Sequence, residues 1–384
     1  TIAADLLHDV IEDTETTHKE ISLLFDPKIA DLIDGVTKID QFTYESREER
    51  QAETYRKMLL SMVKDIRVIL IKLVDRLHNM RTLEYVEPEA QKRISRETLD
   101  IYAPLAHRFG LARIRWELED RSLKFTHPKI YSELREKVAM KRKEREDYIE
   151  EFKKPIEEEL RLSEITSEIS GRPKNFYSIY SKMCSRKKPF EEIYDLFAIR
   201  ITVSSVSECY HTLGLVHSIY SPIPERIKDY ISTPKSNMYQ SLHASVIGPQ
   251  GLPVEVQIRT KEMHHTAELG IAAHWRYKSG QESADLDQHL NWLQHVIDIQ
   301  QHSSNPTEFL EDFKIELFSD EIFVFTPRGD LLQLPKGATS VDFAFHVHTD
   351  IGLHCLTSKV NNQVVPLSKE LASGDTIEII TNPH

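Results

Sequence analysis

The periodicity of the sequence changes near residue 164, and that change excludes a single uniform architecture. Over residues 1 to about 125 glycine is nearly absent, and apolar residues recur at helical spacing in "YRKMLLSMVKDIRVILIKLVDRLHNM" and "LDIYAPLAHRFGLARIRWELEDRSLKF". Beyond 164 the β-branched runs "LFAIRITV" (196–203) and "PVEVQIRT" (253–260) read as strands, with "VSECYHTLGLVHSIY" as a helix between them. Past 317 the short strands "EIFVFTP", "DLLQLP", "CLTSKVN" and "TIEIIT" are separated by "RGD", "NNQ" and "SGD" turns. "TSVDFAFHVH" is the one helical candidate in that region.

At 384 residues the chain exceeds one ordinary core, so several domains are expected. The pattern predicts an all-α domain over 1–125, a helical linker over 126–163, a mixed α/β domain over 164–277, a linker helix within 278–316 and a β-grasp module over 317–384. The linker is dense in Lys, Glu and Arg with sparse apolar positions, which reads as solvated helices bridging two domains. The chain begins with Thr inside an apolar pattern and reads as a fragment that has lost its first residues.

Net charge is −12, which excludes a generic nucleic-acid binder, and no DNA partner is expected. The charge is uneven: Arg172 to Lys188 holds six Lys or Arg and no acid, a patch suited to a small, highly charged anion. Cys184, Cys209 and Cys355 are odd in number and far apart, which points to reduced thiols in a cytoplasm. No apolar run approaches the roughly 18 residues that a membrane span needs.

"HDVIEDT" (8–14) packs a histidine and three carboxylates into one run. On a helix His8 and Glu12 are i, i+4, as are Asp9 and Asp13, giving two adjacent acid-bearing rows. An adjacent His-Asp pair can ligate a divalent metal, and further carboxylates can orient or deprotonate a bound water. A solvated acidic helix start is the alternative. In "KLVDRLHNMRT" (72–82), Asp75 and Asn79 are i, i+4 within a strongly apolar helix, and a carboxylate there needs a partner. Together the two stretches resemble HD-superfamily phosphohydrolases, and more narrowly the hydrolase domain of RelA/SpoT-type alarmone enzymes. The resemblance implies Mn²⁺ held by His8, Asp9 and Asp75, with Glu12 and Asp13 assisting the attacking water and Asn79 contacting the nucleotide. It also implies a further histidine ligand upstream, which residues 1–7 do not contain, so a metal absent or weakly held at His8 and Asp9 is expected.

"GRPKNFYSIYSKM" (171–183) sets Arg172, Lys174, Ser178 and Lys182 on a loop running into a helix, whose dipole favours anions. A triphosphate needs such converging donors. Asp195 stands at the mouth of one strand. Glu255, Gln257 and Arg259 share one face of another, alternating with Val254, Val256 and Ile258. Asp195 and Glu255 could clamp one Mg²⁺, although an exposed sheet face with ordinary salt bridges remains open. Between them, "RIKDYISTPKSNMYQSLHASV" (226–246) interleaves Arg226, Lys228, Lys235 and His243 with Tyr230, Tyr239, Asn237 and Gln240. Cations suit phosphates, an aromatic face suits a base, and amides can read base edges.

"KDYI-x-x-PK-x-N-x-YQSLH", "VE-x-QIRT" and "AELGIAAHWRYK" together resemble the (p)ppGpp synthetase domain of the long RelA/SpoT enzymes, a nucleotidyltransferase-like α/β fold. The resemblance assigns ATP contacts to Arg172, Lys174, Ser178 and Lys182, with Lys235 nearby, and Mg²⁺ to Asp195 and Glu255. Glu255 would also activate the ribose 3′-hydroxyl of GDP or GTP. Tyr239 would stack on guanine, Asn237 would read its edge, and Lys228 and His243 would hold its phosphates. Met238 stands where many relatives carry Gly, which puts the backbone of that loop in question. The basic form "RIKD" accompanies members with both activities.

The C-terminal run "DEIFVFTPRGDLLQLPKGATSVDFAFHVHTDIG" resembles a TGS domain, which in the long enzymes meets tRNA, the ribosome and other partners. His346, His348 and His354 could mark a contact surface or be ordinary satisfied histidines. The expected protein is therefore a bifunctional stringent-response enzyme. It would make (p)ppGpp and AMP from ATP and GDP or GTP, and hydrolyse (p)ppGpp to GDP or GTP and pyrophosphate. The alternatives are a synthetase whose HD domain is only a regulatory scaffold, and a non-catalytic tRNA- or protein-binding regulator.

Overall fold

The computed structural model describes residues 2–36, 53, 61, 65–140, 142–171, 175–187, 189–190, 198–235, 237–270, 292, 308–309, 313, 317, 321–329, 331–372 and 374–382. It divides into two compact units, Thr1–Leu317 and Phe318–His384.

The first unit opens with helices α1 (Ile2–Leu6), α2 (Val10–Asp13), α3 (His18–Leu24) and α4 (Pro27–Val36). Further along come α5 (Arg67–Arg81), α6 (Pro88–Glu97), α7 (Ala103–Arg108) and α8 (Ala112–Thr126). Helix α5 forms because Val68, Ile69, Ile71, Leu73, Leu77 and Met80 recur at helical spacing and are buried, which leaves Asp75 and Asn79 on the opposite side. The "HDVIED" run is not one continuous helix. His8 and Asp9 lie on a turn between α1 and α2, and the expected i, i+4 relation is kept by the backbone at Asp9 and Asp13, where the Asp13 amide donates to the Asp9 carbonyl at 2.8 Å. The cause of the break is local: Nδ1 of His8 donates to the Asp5 carbonyl at 2.6 Å, taking the acceptor that a continuing helix would use.

Helices α9 (Pro128–Met140) and α10 (Arg142–Leu162) follow. The α10 segment was expected to be a solvated bridge, but it carries Tyr148, Phe152, Ile156 and Leu160 at intervals of four residues, and all are buried. They pack with Ile199, Ile201, Val246 and Val256 as one core. Four apolar residues suffice when they form a single stripe and the charged residues face water.

That core covers one face of a sheet ordered β1 (Glu168–Gly171), β2 (Ala198–Val203), β6 (Pro253–Thr260), β5 (Leu242–Ile247) and β3 (Ser221–Pro222), with β4 (Lys228–Asp229) also paired to β5. β2 and β6 are parallel, and the other pairs are antiparallel. α11 (Phe176–Arg186), α12 (Val206–Ile219) and α13 (Lys261–Leu269) complete this part, α12 beginning with the capping box Ser205–Glu208. Strand alternation sends Val254, Val256 and Ile258 into the core and Glu255, Gln257 and Arg259 to the other face. In the register, Glu255 stands between Ala198 and Ser245, two small residues that leave room above it.

The expected linker helix at 289–301 lies outside the described residues except for Trp292. That indole is 4% exposed and packs edge-to-face on Phe109 at 5.7 Å, within the helical core. No helix among the described residues is long and apolar enough to cross a membrane.

The second unit pairs β7 (Glu321–Phe325) with β8 (Leu331–Pro335), and orders β10 (Gln363–Val365), β9 (Cys355–Val360) and β11 (Ile377–Thr381) in a second sheet. Asn361 and Asn362 take positive φ values of 52° and 65°, the requirement of a tight hairpin turn between β9 and β10. Of the expected histidines, His346 lies on helix α14 (Ser340–Val347), His348 joins it to α15 (Thr349–Leu353), and His354 follows α15. Two of them have local partners: the Asp350 amide donates to His348 Nδ1 at 3.1 Å, and His354 Nδ1 donates to the Asp350 carbonyl at 2.8 Å.

Candidate active site

Above the polar face of the sheet lies a cavity of about 590 Å³. Its floor is Glu255 and Gln257 from β6, and one wall is Ser178 and Lys182 from α11. The loop before β5 contributes Lys235, Asn237 and Tyr239, with His243 from β5 itself. The Gln257 side-chain amide donates to Glu255 Oε1 at 2.6 Å, which fixes the carboxylate. Nδ1 of His243 stands 3.6 Å from the same oxygen, and its Nε2 meets the Tyr239 hydroxyl at 2.9 Å. A neutral His243 protonated on Nδ1 satisfies both neighbours, because its Nε2 then accepts from Tyr239. Gln257 is 1% exposed and its Oε1 is buried without a hydrogen-bond partner, so an acceptor is left beside the carboxylate.

Four expected substrate contacts are not among the residues lining this cavity. Lys228 is exposed on β4, opposite His243 in the register. Tyr230 packs edge-to-face on His243 at 5.2 Å and takes Lys235 over its ring at 4.7 Å. Gln240 donates to the Ile231 carbonyl at 3.3 Å. Arg259, expected to touch substrate, is 2% exposed: its Nη2 lies 2.8 Å from His264 Nδ1 and its guanidinium 5.8 Å from the Tyr239 ring centre. It is not among the residues that line the cavity, and its charge lies against the Tyr239 ring instead. Arg172, Lys174 and Asp195 lie outside the described residues.

Met238 has φ 63°, the left-handed region, as the Gly expected there would allow. Its amide closes a turn on the Lys235 carbonyl at 2.7 Å, which sets Asn237 and Tyr239 toward the cavity. The Asn237 side chain donates to the His107 carbonyl at 3.1 Å. The turn after α7 meets the sheet domain here so closely that a Cβ on Gly270 would run into the Phe109 carbonyl oxygen.

Sequence reasoning missed the remaining wall. Arg115, Trp116 and Asp120 of α8 line the same cavity, although α8 packs in the helical core through Leu118. A signal was present: Glu119 and Asp120 are carboxylates in a half-apolar helix, the argument already applied to Asp75. Burial pushes the Asp120 carboxyl up to about 6. One turn earlier on α8, Arg81 and Arg121 hold Glu117 at 2.7 and 2.8 Å, and the Arg81 hydrogen bond above all draws its carboxyl down to about 2.

The second constellation is at the chain's start. His8 Nε2 is 3.2 Å from Asp9 Oδ2 and 3.6 Å from Asp75 Oδ1, and Asn79 donates to Asp75 Oδ1 at 2.9 Å. Because a carbonyl can only accept, the bond to Asp5 puts the proton on His8 Nδ1. Nε2 is then a buried lone pair with no hydrogen-bond partner, aimed between two carboxylates. That donor set fits a divalent transition metal, and the anchored Nδ1–H is the usual brace of a ligating imidazole. Among the described residues no group of three or more His, Cys, Asp or Glu side chains is gathered closely enough to hold a metal ion by itself. Asp13 is exposed at the end of α2.

Both constellations fall within regions that match known protein families. Residues 1–112 match the HD domain, 171–282 match the region found in RelA / SpoT proteins, and 322–381 match the TGS domain. All 384 residues align with a GTP pyrophosphokinase of Myxococcus xanthus at 50% identity, covering 51% of that protein. The bifunctional (p)ppGpp synthase/hydrolase SpoT of Escherichia coli is 49% identical over the whole chain, with 55% of its own length covered. The chain belongs to the RelA/SpoT family.

It also aligns at 49% identity with a probable guanosine-3′,5′-bis(diphosphate) 3′-pyrophosphohydrolase of Synechocystis, covering 51% of it. The chain thus spans about half the length of the curated RelA/SpoT relatives it matches. The architecture is that of the family: a helical HD domain, an α/β RelA/SpoT region and a β-rich TGS domain.

Proposed function

We propose that this chain carries two opposed activities: pyrophosphoryl transfer from ATP to the 3′-hydroxyl of GDP or GTP, and hydrolysis of the resulting (p)ppGpp. The observation that supports the first is the pinned Glu255 at the floor of a cavity with cationic and aromatic walls. The guanine stacks on Tyr239 and Asn237 reads its edge. Lys228 and His243 hold its phosphates, and Ser178 and Lys182 hold the ATP phosphates with Arg172 and Lys174. Glu255 takes the proton from the 3′-hydroxyl, the 3′-oxygen bonds to the β-phosphorus, and the bond from that phosphorus to the α–β bridging oxygen breaks. AMP leaves. The chemistry is chiefly positioning and charge neutralisation. Asp195 and Glu255 would hold Mg²⁺, which when bound neutralises phosphate charge.

For the second activity, His8, Asp9 and Asp75 would hold Mn²⁺, which when bound lowers the pKa of water. Glu12 and Asp13 are assigned to orienting that water, and Asn79 to the nucleotide. The domain divisions 1–125, 126–163, 164–277, 278–316 and 317–384 belong to this reading, as do a cytoplasmic setting and tRNA or ribosome contact through the TGS domain. The test is nucleotide chromatography after incubation with ATP, GDP and Mg²⁺, and then with ppGpp and Mn²⁺. AMP and ppGpp are expected in the first, GDP and pyrophosphate in the second. Glu255→Gln should lower synthesis by about 10²–10⁴-fold, the usual contribution of a general base; retained turnover would refute its role.

A further inference from the structure

Helix α11, which carries Ser178 and Lys182, does not cap itself. Asn175 occupies its N-cap position, yet that side chain makes no cap bond and donates instead to Glu119 Oε2 at 3.2 Å. The cap comes from α8. Asp120 Oδ1 accepts from the Tyr177 amide at 2.8 Å, and the Phe176 amide donates to the same carboxylate. Glu119 is 4% exposed and is itself held by Arg115 Nε at 2.7 Å.

Two consequences follow from elementary electrostatics. The first amides of a helix attract anions, and here a carboxylate of another helix already occupies them. A triphosphate is therefore turned away from the helix end and toward the side chains of Ser178 and Lys182. The tilt of α11 over Glu255 is also set by α8, and so by the helical core in which α8 is packed.

We infer that Asp120 and Glu119 are positioning residues for the synthetase reaction: together they cap and orient α11 so that its side chains, not its amides, receive the ATP phosphates. The inference rests on the reading of α11 as the ATP wall. Neither carboxylate is required to touch the reacting atoms.

The test uses the full chain. Asp120→Ala removes the acceptor. Asp120→Asn keeps a carbonyl oxygen for the same amides. Asn175→Ala removes the side chain that donates to Glu119 and favours the charged Asp120, while leaving the Asp120 carboxylate in place for the Tyr177 amide. Losing a cap costs an amount equivalent to about a five- to tenfold change in an equilibrium constant, so Asp120→Ala should raise the KM for ATP by about that factor. The KM for GDP should stay within about twofold, and Asp120→Asn should restore the ATP value because an asparagine caps as well as an aspartate. Hydrogen exchange at the Phe176 and Tyr177 amides should quicken in Asp120→Ala and not in Asp120→Asn, with exchange in β2 and β6 unchanged. Should Asp120→Ala fail to fold, Asn175→Ala decides, with a smaller rise confined to ATP. An unchanged KM for ATP, or equal rises for both substrates, in an enzyme that makes ppGpp would overturn the inference alone. A wild type that makes no ppGpp would overturn the reading of the site and the inference with it.

Discussion

Replacing Asp120 with asparagine should stabilise the protein, and only above a definable pH. Burial is the largest influence on this carboxyl and raises it from 3.8 to about 6, against the Tyr177 and Phe176 amides that favour its charged form; Glu119 beside it pushes upward and the Asn175 side chain downward. A folded-state pKa above the unfolded value means that the group's stabilising contribution is complete below about 3.8 and is lost as pH rises through about 6. The gap of about two units corresponds to roughly 3 kcal/mol, at about 1.36 kcal/mol per unit. Asparagine has no charge to bury, yet its carbonyl oxygen still accepts the two amides. The variant is expected to exceed the wild type by about 1 kcal/mol near pH 4.5 and by about 3 kcal/mol near pH 7.5. Equilibrium urea unfolding at several pH values measures this directly, and with a slope of roughly 3 kcal/mol per molar the midpoints should separate by about 1 M at the higher pH. A difference independent of pH would refute the burial argument. A wild type more stable than Asp120→Asn near neutrality would show that the charged cap outweighs desolvation.

Three further outcomes follow from the geometry. Tyr239→Ala removes the aromatic face of the cavity and should raise the KM for GDP by about tenfold, within the usual value of base stacking, while that for ATP changes little; equal effects on both would exclude stacking on guanine. Asp75→Ala should abolish metal-dependent release of pyrophosphate from ppGpp and lower Mn²⁺ affinity in a calorimetric titration, and hydrolysis that persists would remove Asp75 from the metal set. Met238→Gly should stabilise the chain by about 1 kcal/mol, read as a shift in unfolding midpoint, because glycine adopts φ 63° without a Cβ penalty; a loss of stability would mean that the Met238 side chain contributes more by packing than its backbone costs.

How much of this protein was legible before folding depended on the range of the signal. The alternation in "PVEVQIRT" determined by itself that Glu255 and Gln257 share the face away from the core, because strand geometry repeats every two residues whatever lies nearby. The apolar spacing of α5 likewise determined that Asp75 and Asn79 emerge on one side together. The paired asparagines at 361–362 announced their hairpin, since positive φ is a property of the residues themselves. Local patterns could not show where a charge-rich helix would lie. Whether α10 floats as a bridge or seals a sheet depends on whether its four apolar residues meet an apolar face, and the sheet's is assembled from strands up to a hundred residues away. The break at His8 was missed for a related reason, since a side chain competing for a backbone carbonyl can reverse what spacing implies. Only tertiary structure decided that Arg115, Trp116 and Asp120 wall the cavity, that Arg259 lies buried against Tyr239, and that Trp292 joins the helical core. A cavity belongs to the space between elements, and that space comes into being only when distant segments bury their apolar faces against one another.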